Sequence, residues 1–213
     1  MYRNEKYNRW RRHPWHGLYA RQEGSTDNGV VQVYVEMLPT DVVKYELDKN
    51  SGFLMVDRPQ RTTSSPPALY GFIPRTYCAE EVAKRCPGVE VADGDPLDIC
   101  VYSERHINRS DIILSARVIG GIQMIDGGEA DDKIIAILDG DNVWGDVQDI
   151  DDLPAIKVER LQHYFSTYKL QPGKDVDIKV DHVYGREEAL KVIAAAEQDY
   201  WHHYGDLHDE AKK

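Results

Sequence analysis

The sequence predicts an α+β fold, a β-barrel-like core with helices packed on its outside. Three observations carry the prediction. Segments of period-two alternation fill much of the chain, the two clear helical stripes come late, and no internal repeat or low-complexity tract divides the 213 residues. A chain of this length makes one large domain or two small ones, and strands followed by helices favour a single domain over 1–213.

Residues 1–21 hold six Arg or Lys and one acid. They begin an N-terminal arm, 1–29, that ends in the polar loop Gly24-Ser25-Thr26-Asp27-Asn28-Gly29. Trp10, Trp15, Leu18 and Tyr19 are placed to pin the arm to the body, and His13 and His16 read as part of that packed arm rather than as metal ligands. The arm has no apolar run of the secretory kind, and its Arg-rich start fits an organellar transit peptide poorly. Val31, Val33, Val35 and Met37 then alternate with Gln32, Tyr34 and Glu36, so Glu36 falls on the polar face of a strand. Residues 44–48 alternate again, Asn50-Ser51-Gly52 turns, and 53–58 extends, which makes a hairpin with glycine in its turn. Further strands are expected over 97–103, 111–119, 132–138 and 176–184. Asp151-Asp152-Leu153-Pro154 offers acidic caps and a first-turn proline to a helix whose stripe is Val158, Leu161, Phe165 and Tyr168. A second helix over about 187–204 shows Ala189, Ile193, Ala196, Tyr200 and Tyr204 on one face, within a C-terminal helix and tail, 186–213. His202, His203 and His208 read as solvent-facing, and the acidic run 139–152 reads as a solvated loop.

Lys and Arg number 26 against 37 Asp and Glu, a net charge of −11. That balance opposes nucleic acid and anionic membrane as partners and is compatible with divalent cations. No apolar run approaches the roughly 20 residues of a membrane span. Three sparse cysteines make no disulfide framework and suit a reducing cytoplasm. Cys78 and Cys86 lack zinc-knuckle spacing, and Cys100 reads as a small buried hydrophobe.

The loudest local feature is Asp93-Gly94-Asp95-Pro96-Leu97-Asp98, three carboxylates at the mouth of an apolar strand. Like charges ~4 Å apart repel by about 1–4 kcal/mol, so the cluster requires cations or retained protons. Hard oxygen donors suit Mg²⁺, Mn²⁺ or Ca²⁺. An EF-hand is excluded, because Leu97 and Asp98 stand at its fifth and sixth loop positions. Asp126-Gly127-Gly128-Glu129-Ala130-Asp131-Asp132-Lys133 repeats the theme before another strand, and Lys44 and Glu46 share one strand face. Carboxylates interleaved with Lys44, Arg58, Lys133 and Lys169 suit an anionic substrate held through metals, with phosphate the obvious candidate.

With Val43–Asp48, Val56-Asp57-Arg58, Leu69-Tyr70-Gly71-Phe72-Ile73-Pro74, Met124-Ile125-Asp126 and His163–Lys169 in this order, the chain resembles the soluble family I inorganic pyrophosphatases over about residues 13–170. His13-Pro14-Trp15-His16 resembles the N-terminal extension of the plant-like and chlamydial branch. The resemblance implies an OB-like closed β-barrel with flanking helices, and hydrolysis of pyrophosphate to two orthophosphates by a metal-bridged water with Mg²⁺, or Mn²⁺ in its place. It implies that Asp93, Asp98 and Asp131 ligate the first metal, with Asp98 bridging to a second. Asp126 and Asp131 hold a third, Glu46 helps with a fourth, and Glu36 serves the metal–water shell. Asp95 is the implied general base, and Lys44, Arg58, Tyr70, Lys133, Tyr168 and Lys169 hold the two phosphates. A homo-oligomer, dimer or hexamer, is also implied. Two departures stand out: Pro66 replaces a frequent tyrosine, and 77–91 looks like an insertion.

Two other readings compete: a broader hydrolase of nucleotide or polyphosphate anhydrides, and a non-catalytic OB-type binding module. The net charge opposes the module, and no P-loop or base-stacking pocket supports a nucleotide substrate.

Overall fold

The computed structural model describes residues 12–21, 29–171, 173 and 177–205. Trp10, residues 24–28 of the polar loop, residue 176, His208 and the tail lie outside that range. In chain order the elements are β1 (Val30–Met37), β2 (Val43–Leu47), β3 (Leu54–Pro59), β4 (Leu69–Phe72), helix α1 (Glu80–Ala83), β5 (Asp98–Tyr102), β6 (Ile112–Asp126), β7 (Glu129–Ala130), β8 (Lys133–Leu138), a 3₁₀ turn (Ile150–Asp152), helix α2 (Ala155–Thr167), β9 (Ile178–Gly185) and helix α3 (Arg186–Tyr204). The main sheet runs β1-β4-β5-β8-β6-β7. β6 also pairs with β9 and, antiparallel, with β1, so the pairings of β1, β4, β5, β8 and β6 close into a ring. The sheet is mixed, because β5 and β8 are parallel. β2 and β3 form a separate hairpin whose turn needs the positive φ of Gly52, +73°.

Strand alternation sorts the core into two faces. Ile99 and Val101 of β5 pack with Ala189, Ile193 and Ala196 of α3, together with Leu97. Cys100 and Tyr102 point the other way, toward Val158, Leu161 and Phe165 of α2. α3 covers the residues and the face expected of it, although Tyr204 is only half-buried.

Four expectations need correction. β6 does not stop at 119 but continues to Asp126. Gly120 and Gly121 interrupt its side-chain pattern because β9 lies against them. A Cβ on Gly121 would fall 2.4 Å from the Tyr184 ring. β1 is not amphipathic throughout: Tyr34 is buried against Phe72 and Leu47, and Glu36 is only 6% exposed. Asp151 and Asp152 do not cap α2. They belong to the 3₁₀ turn, capped by Asp149, and Pro154 is the N-cap of α2. The 139–152 run is not simply solvated, since buried Asp141 accepts the N–H groups of Glu104 (2.7 Å), Val143 (2.9 Å) and Trp144 (2.8 Å).

The arm is packed where it is described. Trp15 is buried, and its indole N–H donates to the Thr76 carbonyl at 2.8 Å. Tyr19 is exposed, with the Arg75 guanidinium over its ring. His13 holds the turn: Nδ1 accepts the Trp15 and His16 N–H groups at 3.2 and 3.3 Å, and Nε2 lies 3.2 Å from the Lys49 carbonyl. Burial lowers the His13 pKa, against smaller opposing effects of the Lys49 carbonyl and the Asp48 charge. A depressed folded pKa contributes stability above the unfolded value of 6.5, and that stability is lost as pH falls through the folded value. Acidification from pH 7 to about 5 is therefore expected to loosen the arm, because a proton on Nδ1 removes an acceptor of two N–H groups. Tryptophan fluorescence against pH checks this: the His13→Gln variant should lack the transition, and an unchanged pH profile would contradict it.

Candidate active site

One cavity of about 450 Å³ gathers the carboxylate motifs. Its lining includes Glu36, Lys44, Glu46, Tyr70, Asp93, Asp95, Asp98, Asp126, Asp131, Lys133, Tyr168 and Lys169. Topology explains the convergence. β5 and β8 are parallel, so both enter the sheet at the same end, and their register sets Asp98 opposite Lys133. Asp93 and Asp95 lie on the turn into β5, where Gly94 has φ +72°. Asp126 ends β6 and returns through Gly127 and Gly128, both at positive φ, to Asp131 at the mouth of β8. Tyr70 comes from the neighbouring β4 and donates its hydroxyl to Asp98. Tyr168 is the C-cap of α2, and Lys169 follows it. β2 contributes Lys44 and Glu46, which meet across one strand face as the period of two requires.

Acids and lysines alternate around the cavity. The Lys133 ammonium, on a residue only 2% exposed, lies between Asp98 and Asp131. Lys169 pairs with Asp126, and Lys44 with Glu46. Burial pushes Asp131 well above the usual carboxylate range, with the charges of Asp98 and Asp93 adding to it against Lys133. Burial likewise raises Asp93 to about 6. Burial and then the Asp98 charge raise Glu36 to about 8, and Glu36 accepts the Leu47 N–H at 2.7 Å. For Lys133 burial acts downward, but Asp131 and Asp98 together overcome it and raise its pKa well above normal. Burial also raises the Tyr70 and Tyr168 phenols. Such a site binds charge tightly: desolvated carboxylates gain by accepting cations, and desolvated ammonium groups by accepting anions. Among the described residues no three carboxylates converge as a ready ion cage, and lysines stand between them. The donor set of hard carboxylate oxygens nonetheless fits Mg²⁺-type cations.

Arg58 is the one proposed site residue outside the lining. It lies across the hairpin from Lys44 and pairs with Asp57. Lys49 was missed by sequence reasoning. It lines the cavity and pairs with Asp95 from the β2–β3 turn, where the period of two no longer tells direction. Tyr164 was also missed, hidden one residue before Phe165 in the α2 stripe. Pro66 lines a separate groove against α2.

The model of the family described as inorganic pyrophosphatase matches residues 33–201. The chain belongs to the inorganic pyrophosphatase family. It is 46% identical over 198 residues to the inorganic pyrophosphatase of Chlamydia caviae, covering 88% of this chain and 90% of that one. It is 35% identical over 181 residues to the soluble inorganic pyrophosphatase of Oryza sativa subsp. indica, covering 85% and 76%. The solved inorganic pyrophosphatase of Helicobacter pylori superposes with a TM-score of 0.70 at 34% identity, over 83% of this chain and 96% of that one. The mixed sheet with few helices is thus a pyrophosphatase-family fold, and the relatives include chlamydial and plant proteins, the two groups that the arm motif suggested.

Proposed function

We propose that the chain hydrolyses inorganic pyrophosphate to two orthophosphates in the carboxylate-lined cavity. The observation that carries the reading is the alternation of acids and lysines around one cavity in a chain of this family. Asp93, Asp98 and Asp131 would hold the first divalent cation, Mg²⁺ or Mn²⁺, with Asp98 shared with a second. Asp126, Asp131, Glu46 and Glu36 would serve the remaining cations and their waters. Bound cations supply acidification of coordinated water and neutralisation of phosphate charge. Asp95 would accept the proton of the attacking water. Lys44, Lys133, Lys169, Tyr70 and Tyr168 would bind the phosphates and stabilise charge on the leaving one. Arg58 would join them by leaving Asp57 for substrate.

The closed ring of pairings supports an OB-like barrel, and a core shared by β1 and α3 supports one domain over 1–213. The three cysteines are free and buried, in keeping with a cytoplasmic protein. A homo-oligomer is proposed from the family, with no nucleic-acid or membrane partner. No helix among the described residues is long and apolar enough to cross a membrane.

Phosphate release from pyrophosphate, ATP and tripolyphosphate, each with Mg²⁺, tests the reading. Rapid release from pyrophosphate alone is expected. Equal release from all three would replace it with a general anhydride hydrolase, and none from a folded protein would remove both.

A further inference from the structure

Asp199 is a fully buried acid that the proposed chemistry does not use. It sits on α3, and backbone N–H groups surround it. Its carboxylate accepts from Ala79 at 3.0 Å, from Glu81 at 2.9 and 3.1 Å and from Val82 at 3.1 Å. Four contacts from three N–H groups converge on this one side chain and anchor residues 79–82 to α3. Three further bonds continue from the anchored segment. The Tyr77 N–H donates to the Ala196 carbonyl of α3 at 2.9 Å, which fixes the segment at its other end. Cys78 then pairs with the acidic turn in both directions. Its N–H donates to the Asp95 carbonyl at 2.8 Å, and its carbonyl accepts the Gly94 N–H at 3.0 Å. The Tyr77 hydroxyl packs over Gly94, 3.4 Å from where a Cβ would lie.

Residues 77–82 are therefore held to α3 on both sides of Cys78, and Cys78 holds the turn that carries Asp93 and Asp95. We propose that Asp199 is a positioning residue that holds the Asp93–Asp98 turn in its working geometry through residues 77–82. The proposal rests on the reading of Asp93 and Asp95 as metal ligand and base. It accounts for an acid kept wholly out of water on a helix whose neighbouring face is apolar. It also gives this segment a task, since Cys78, one residue before the Asp199 contacts, supplies the backbone bonds to Gly94 and the Asp95 carbonyl. Misplacement of reacting groups by an ångström can slow a reaction about 100-fold.

The test uses the full chain and Asp199→Asn, which keeps shape and one acceptor oxygen. The kcat on pyrophosphate at saturating Mg²⁺ should fall about tenfold or more, with KM for pyrophosphate changed less than about threefold. Ile193→Val, on the same helix and facing the same core, serves as the control for general loosening and should keep kcat. Equal kcat in Asp199→Asn and wild type, or an equal loss in the control, would overturn the proposal. Hydrogen exchange separates this outcome from failure of the functional reading. In wild type the amides of Glu81, Val82, Cys78 and Gly94 should open as one unit, and in Asp199→Asn protection at Cys78 and Gly94 should drop together. Independent opening of Gly94 in wild type would overturn the proposal whatever the substrate is, and needs no variant to fold.

Discussion

Asp95→Asn is expected to lower kcat on pyrophosphate at least about 100-fold while leaving the fold intact. Both halves follow from its surroundings. The Asp95 side chain is 47% exposed, and its partner Lys49 is similarly wet. An exposed pair of this kind contributes about 0–1 kcal/mol, so the melting temperature should move by no more than a few degrees. The bonds that fix the Asp95 backbone, from the Cys78 N–H to its carbonyl and from its own N–H to the Asp93 carboxylate at 3.1 Å, survive the substitution. Asparagine keeps the shape but takes no proton from water. Calorimetry beside saturating kinetics checks both, and a kcat within a few-fold of wild type removes Asp95 from the role of base.

Lys133→Met carries the second large effect, and there stability and activity fall together. Methionine fills similar space but leaves Asp98 and Asp131 without the ammonium that lies between them. Breaking a buried pair by removing one partner costs about 3–5 kcal/mol, because the remaining charge stays out of water. In a chain of this size that corresponds to a loss of about 6–20 °C in melting temperature. Added Mg²⁺ should recover more of that loss than it adds to wild type, since under the proposed ligation the cation would supply the missing positive charge to the same oxygens. Activity should drop about 100-fold or more with the loss of the charge proposed to bind phosphate. A variant melting within about 2 °C of wild type would show that Lys133 is not the counter-charge the geometry makes it.

The legible part of this protein lay where side-chain period and local chemistry agree. Leu97, Ile99 and Val101 read as one strand face and pack as one. The α2 stripe put Tyr168 at the end of a packed helix, the family resemblance marked Tyr168 and Lys169 for the site, and the acidic turns announced themselves by crowding carboxylates beside glycines. What stayed hidden depends on partners distant in sequence. Tyr34 and Glu36 look solvent-facing until the second layer that buries them is known. Gly120 and Gly121 look like strand breakers until Tyr184 is seen against them. Arg58 shares a hairpin with Lys44, yet neither its motif nor its alternation shows that it turns to Asp57. Lys49 and Asp199 carry no local signal at all. One acts from a turn, and the other meets its partners more than a hundred residues away.

The central claim, pyrophosphate hydrolysis by a cation-requiring carboxylate cavity, is tested most directly by phosphate release from pyrophosphate after exhaustive treatment with EDTA, then after return of Mg²⁺. Release should be absent in the chelator and rapid once Mg²⁺ is restored, with the circular dichroism spectrum unchanged throughout. Release in EDTA as fast as with Mg²⁺, or none in either condition from the folded protein, would contradict the account.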